Sequence, residues 1–200
     1  MASTTKIFKN VRIIWKNFSG QTNDFNPPLV DRTTGQPVVD KNGRPLGKRY
    51  FSIVLTEEMA EELRGLELRA DSGRMLKGCN VKTRLPQNGE GDPLYTLKVG
   101  FGAYPPEAIW RIIPKGRMAL DLDTVGNLDH EFIDHADVKV TFATYEKGPN
   151  SGITAYLSKL KAYVQEDDFD SDESFAGIPI IGGPSVGYSA PPSDEEDLPF

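Results

Sequence analysis

Apolar and polar positions alternate with a period of two along several short stretches of the chain. "VRIIWKNF" at 11–18 and "YFSIVL" at 50–55 are rich in β-branched and aromatic residues, and "CNVKTRL" at 79–85 sets Val81 and Leu85 against Lys82 and Arg84. Each predicts a half-buried strand. "LYTLKVGF" at 94–101 follows the turn composition "NGEGDP", and "AIWRII" at 108–113, "DVKVTFATYE" at 137–146 and "ITAYLSKLKAYV" at 153–164 complete the set. The last two are joined by "KGPNSG", a hairpin loop by composition. One stretch has a helical period instead: "TEEMAEELRG" places Thr56 as N-cap, Glu57 and Glu58 in the first turn, Met59 and Leu63 four apart, and Gly65 as a stop. Six or seven strands with one helix among the early ones predict a small, closed or nearly closed antiparallel β-barrel.

Two stretches stand apart from this pattern. "NDFNPPLVDRTTGQPVVDKNGRPLGKR" at 23–49 is too long for a mere connection between strands, and such loops are usually functional. Its end brings Lys41, Arg44, Lys48 and Arg49 close together on glycine-loosened backbone. From Glu166 onward, "EDDFDSDESFAGIPIIGGPSVGYSAPPSDEEDLPF" is rich in Asp, Ser, Gly and Pro and has no period, which predicts disorder. Within it "FAGIPIIGG" is apolar enough to dock somewhere, although its glycines and Pro179 argue against a regular element. The expected layout is a folded body over 1–165, a linker over 166–192 and an acidic tip over 193–200.

Composition adds a compartment and a charge division. The 200 residues, 38% apolar and 26% charged, suit one soluble domain plus extra chain. No apolar run is long enough to cross a membrane, and "MASTTKIFKN" lacks the apolar stretch of a secretory signal, so a cytoplasmic location is expected. The single Cys79 excludes an internal disulfide and a cysteine-rich zinc site, and is expected to be a small buried side chain. All 23 Lys and Arg lie at or before Lys161, while ten of the 29 acids lie beyond it, leaving 19 in the body. A body of net charge +4 is thus followed by a stretch of −10. That asymmetry points to a nucleic-acid-binding body with an acidic interaction arm.

Strand parity suggests where a nucleic acid lies. Arg12, Ile14, Lys16 and Phe18 share a face of the first strand, and Tyr50 follows directly on Lys48 and Arg49. Lys82 and Arg84 share the polar face of theirs. In the last strand Tyr156, Ser158, Leu160, Ala162 and Val164 face one way, leaving Leu157, Lys159, Lys161 and Tyr163 on the other. Lys and Arg neutralise phosphates while rings stack bases, which is the chemistry of sequence-tolerant single-strand binding. Catalytic patterns are weak. "GRPLGKR" has three residues between Gly43 and Gly47, one fewer than a phosphate loop, and Arg49 replaces the magnesium-holding hydroxyl. Asp121 and Asp123 lie near His130 and His135, but no further acids are patterned for a nuclease. No enzyme activity, metal or cofactor is expected.

Two resemblances sharpen this reading. "DEEDLPF" resembles the C-terminal tip of bacterial single-stranded DNA-binding proteins, and acidic tails ending in Phe occur in phage counterparts as well. "NVRIIWKNFSG", "RYFSIVLTEEMAEEL" and "SGITAYLSKLKAYV" resemble a family of phage-encoded single-stranded DNA-binding proteins with an OB fold, a likeness covering most of 10–164. Cys79 stands where the related sequences carry a larger aromatic residue. The resemblance implies a mainly β, OB-fold-like antiparallel barrel with one short helix and a disordered acidic C-terminal tail. It implies sequence-independent coating of single-stranded DNA in phage DNA replication and recombination, in the host cell cytoplasm. DNA contacts are expected from Arg12, Lys16, Phe18, Lys41, Arg44, Lys48, Arg49, Tyr50, Lys82, Arg84, Lys159, Lys161 and Tyr163. Replication or recombination proteins are expected to bind Asp194, Glu195, Glu196, Asp197, Leu198, Pro199 and Phe200, because an apolar pocket edged by Arg captures both a terminal ring and its α-carboxylate. A homodimer or an array on DNA is left open. The alternative is a structural or scaffolding phage protein with an acidic arm and no nucleic-acid binding.

Overall fold

The strand read at 11–18 is preceded by another that runs into it, the chain bending where Asn10 takes φ 54° and the two strands being separated by Arg12 alone. In this computed structural model, which describes residues 3–31, 33–86, 90–101, 108–147 and 150–165, the elements run β1 (Ser3–Val11), β2 (Ile13–Asn17), β3 (Tyr50–Leu55), α1 (Glu57–Arg64), β4 (Glu67–Arg69), β5 (Met75–Lys77), β6 (Val81–Arg84), β7 (Leu94–Gly100), β8 (Ile109–Ile113), β9 (Gly116–Leu120), a 3-10 turn (Val125–Asp129), β10 (Ile133–Lys147) and β11 (Asn150–Val164). The 166–192 linker and the 193–200 tip lie outside the described residues.

The main sheet follows the order β1-β10-β11-β7-β3-β2. Its two ends, β1 and β2, are successive parts of one bent strand. Val54 N–H donates to the carbonyl of Arg12 at 2.9 Å, so pairing with β3 runs on into the bend. Chain continuity, rather than a ladder, brings the sheet back on itself. The bent strand, β3, β7, β11 and β10 make the five-stranded, partly open Greek-key arrangement of an OB-like fold. The expected mainly β, OB-fold-like architecture with one short helix is present, with the sheet not closed into a barrel by ladders; within it β11 meets β7 and β8 in parallel while the other strand pairs are antiparallel. β1 is absent from the sequence reading because "STTKIFKNV" buries only Phe8 and Val11 and carries little apolar alternation.

The helix forms where its caps predict. Thr56 Oγ1 accepts the Met59 N–H at 3.3 Å, Gly65 N–H donates to the Glu61 carbonyl, and Ala60 and Leu63 are buried. At the helix end, the Leu63 carbonyl accepts Cys79 N–H at 2.9 Å. Cys79 is buried, and that burial pushes its thiol pKa up to about 11. It is a packing residue, not a reactive one. The barrel core includes the fully buried Phe8, Phe51, Phe142, Ile53, Leu97 and Leu160, each worth roughly 1.5–3 kcal/mol of burial. Among the described residues no helix is long and apolar enough to cross a membrane.

Candidate nucleic-acid interface

Alternation in β3 and β7 builds a face opposite the core. β3 turns Phe51, Ile53 and Leu55 inward and Tyr50, Ser52 and Val54 to the other side, while β7 turns Leu97 and Val99 inward against Thr96, Lys98 and Gly100. The register sets Tyr50 opposite Gly100, Ser52 opposite Lys98 and Val54 opposite Thr96. On the far edge of β7, β6 adds Lys82 beside Thr96 and Arg84 beside Leu94. β11 meets the same edge of β7 at Tyr156 and Gly100, so two tyrosines flank a residue with no side chain.

A bulge delivers the remaining ring. Ile14 pairs with Ser52 and Asn17 with Tyr50, so Trp15 and Lys16 together oppose Phe51, with Trp15 at φ 48°. Bulges re-aim side chains. Trp15, 42% exposed, receives the Arg84 guanidinium 4.2 Å from its ring centroid. Lys98 Nζ lies 3.5 Å from the Tyr50 centroid. Two cation–ring pairs therefore join β2 to β6 and β3 to β7 on one face. The Lys98 pKa is pushed down, first by partial burial and then by the charges of Lys82 and Lys48. An anion placed among these three amines relieves that repulsion, and a base has Trp15, Tyr50 and the 48% exposed Tyr156 to stack on.

Of the residues singled out in the sequence, Lys48, Tyr50, Lys82 and Arg84 come together here. Phe18 does not: it is fully buried, its ring stacked on Phe51 at 5.1 Å and tilted against Phe101 at 5.9 Å. Arg49 is 3% exposed and donates to the Phe18 carbonyl at 2.7 Å and the Leu122 carbonyl at 3.5 Å. Burial lowers its pKa against the pull of Asp129, Asp123 and Asp40. Arg49 pins the long loop to the barrel and offers no charge to a ligand. Lys16 donates to the Glu131 carbonyl at 2.6 Å, away from Trp15's partner. The bulge is the physical reason, since it breaks the parity that grouped Arg12, Lys16 and Phe18. Arg12 is exposed at the bend, level with Val54. Lys41 pairs with Asp123 at 3.1 Å, and Arg44 with Asp40 at 2.9 Å.

A second bulge alters β11. Val140 pairs with Leu157 but Lys139 with Lys159, leaving Ser158 as an extra residue. Leu157 is therefore buried, Tyr156 is exposed, and Lys159, Lys161 and Tyr163 lie further along β11 rather than against Tyr50 or Trp15. Sequence reasoning missed Trp15, Lys98 and Tyr156. Lys98 had a signal in the alternation of "TLKVG"; Trp15 and Tyr156 were hidden by the bulges.

The acids near the histidines are structural. Asp121 accepts the Asp123 and Thr124 N–H groups at 3.0 and 2.9 Å, and Asp129 accepts Phe18 and Ser19 N–H at 2.6 and 2.8 Å. Among the described residues no group of three or more His, Cys, Asp or Glu is placed to hold a metal ion.

No protein-family profile matches this chain, and no curated protein matches it in sequence. The structure is similar to that of the single-stranded DNA-binding protein from bacteriophage Enc34, at 12% identity over 86% of this chain and 89% of that one, with a TM-score of 0.43. The same phage protein in complex with single-stranded DNA is similar at 11% identity over 82% and 89% of the two chains, with a TM-score of 0.42. The single-stranded DNA-binding protein gp2.5 encoded by bacteriophage T7 is similar at 11% identity over 94% of this chain and all of that one (100%), with a TM-score of 0.32.

Proposed function

We propose that the chain binds single-stranded DNA without sequence preference along the face of β2, β3, β6 and β7, and is not an enzyme. The observation that carries the reading is the pair of cation–ring contacts, Lys98 on Tyr50 and Arg84 on Trp15, set among Lys48 and Lys82. Every base has a π face and every nucleotide a phosphate, so rings interleaved with cations bind a strand irrespective of sequence. The role that fits is coating of single strands during phage DNA replication and recombination in the host cytoplasm. The tip over 193–200, outside the described residues, would recruit a replication or recombination protein: four acids beside Leu198 and Phe200 suit a basic pocket with an apolar floor.

The test is a titration with labelled oligo-dT over a range of salt. Trp15→Ala or Tyr50→Ala is expected to weaken binding by roughly 1–3 kcal/mol with the salt slope unchanged, because a stacking surface is lost and no charge is. Replacing Lys82 and Lys98 by Gln is expected to flatten the log-log slope by about 0.7 for each phosphate contact removed. Absence of oligo-dT binding would instead favour a scaffolding role, and ring variants with full affinity would put the DNA elsewhere.

A further inference from the structure

The groove proposed for the strand, the face of β2, β3, β6 and β7, leaves a second set of cations without a task. Beyond the bulge at Ser158, Lys159 and Lys161 are exposed on β11, and Lys139 of β10 stands directly opposite Lys159 in the ladder. Like charges opposed across a strand pair destabilise it. Asp137 stands opposite Lys161 and accepts the Asn10 N–H at 3.1 Å and the Tyr163 hydroxyl at 3.4 Å, but it forms an ion pair with none of the three lysines. Among the described residues none of the three lysines has a hydrogen-bond or ion-pair partner. Two rings lie alongside. Trp110 of β8 is level with Lys161 in the parallel pair, and Tyr163 is stacked on His135 at 4.3 Å. A solvated face accounts for each lysine singly, but not for a like-charged pair kept in register beside two rings.

We infer that this face of β8, β10 and β11 is a second track for the same single strand, continuous with the groove. The inference rests on the reading of the groove as a single-stranded DNA site. β11 supplies the continuity, since it carries Tyr156 beside Gly100 at one end and Tyr163 seven residues later, roughly 20 Å along a bulged strand. A strand leaving the groove past Tyr156 runs along β11 with phosphates on Lys139, Lys159 and Lys161 and an unpaired base against Trp110 or Tyr163. The ligand class is a polyanionic backbone with accessible bases, held without readout of their edges.

The experiment compares two lengths of oligo-dT on the full chain and on the variant Lys139→Gln, Lys159→Gln, Lys161→Gln, whose uncharged stems keep the surface packed. The short strand has about eight nucleotides, within the span of one OB fold, and the long one about twice that. DNA is kept in excess so that one protein binds each strand. On the short strand the variant is expected to match the unmodified chain in affinity and in salt slope. On the long strand its log-log slope is expected to flatten by about 2, the loss of three phosphate contacts. An unchanged slope on the long strand overturns the second track, and so does an equal loss on both lengths, which would put the lysines in the groove itself. If the unmodified chain binds neither length, the groove reading fails and takes the track with it, a result distinct from the other two.

Discussion

Lys98 carries its charge at a cost, because partial burial and the amines of Lys82 and Lys48 hold its pKa below the ordinary lysine value. In the unfolded chain the amine keeps a higher pKa, so between the two values the unfolded state binds more protons and stability rises with pH. The charged amine thus destabilises the fold at neutral pH, and the penalty fades as the pH climbs through the lowered pKa. A phosphate beside it, as the proposed site requires, would act in the opposite sense and raise that pKa, so DNA binding there would take up a proton in the same alkaline window. Affinity for oligo-dT is therefore expected to fall on the alkaline side before ordinary lysines discharge. Lys98→Arg keeps the cation without the titration and is expected to flatten that fall; pH-dependent titrations of both proteins check it, and superimposable profiles would remove Lys98 from the phosphate path. Lys98 was legible in principle, as the polar member of an alternating strand. Trp15 was not, because its direction depends on φ 48° at a bulge that no residue type announces. The burial of Phe18 follows from the same break in parity, which turns it into the ring cluster of Phe51 and Phe101, whereas Arg49 keeps the inward parity of Phe51, Ile53 and Leu55 and donates to Phe18's own carbonyl.

The loop between β2 and β3 is where element-scale order supports the site. Asn26 gathers it: its side-chain amide donates to the Gln21 and Lys48 carbonyls at 2.8 and 3.0 Å, and its oxygen accepts the Lys48 N–H at 3.1 Å. Gly47 is packed so closely on this residue that an added Cβ would lie 2.4 Å from Asn26 Nδ2 and 3.0 Å from its backbone oxygen. Gly47→Ala is expected to cost about 1–3 kcal/mol by overpacking and also to weaken oligo-dT binding, because the displaced segment carries Lys48 and leads into Tyr50. Gly116→Ala meets nothing within 4 Å and serves as the control. Urea midpoints beside DNA titrations check this; a Gly47→Ala protein with unchanged stability would mean that the loop yields freely and does not position the face. Elements with strong local signals were legible, β3 to the residue and α1 through Thr56 and Gly65. Those defined by distant partners were not. β1 has a polar sequence and forms because β10 offers it a ladder, and β9 exists as the return arm of β8.

At the scale of the whole molecule the division of charge is the dominant feature, with all 23 basic residues at or before Lys161 and ten of 29 acids beyond it. Acids on the same chain as a cationic groove compete with DNA at an effective concentration on the order of millimolar when their tether spans the gap. Deleting residues 193–200 removes four of them, Asp194, Glu195, Glu196 and Asp197. Oligo-dT affinity is then expected to rise, most at low salt where the competitor is least screened. The same deletion is expected to abolish capture of a replication or recombination protein, so the two readouts move in opposite directions. Phe200→Ala separates the charges from the ring. It leaves all four acids, so DNA affinity is expected to stay close to that of the unmodified chain, while a partner pocket that buried the ring loses roughly 3 kcal/mol or more. Titration with oligo-dT at two salt concentrations, paired with pull-down of candidate replication proteins from the host, reads both effects in one set of proteins. Should Phe200→Ala recruit partners as well as the unmodified chain while the deletion alone loses them, the acids carry recognition and the ring does not; should the deletion change neither DNA affinity nor recruitment, the arm serves only to keep the protein in solution.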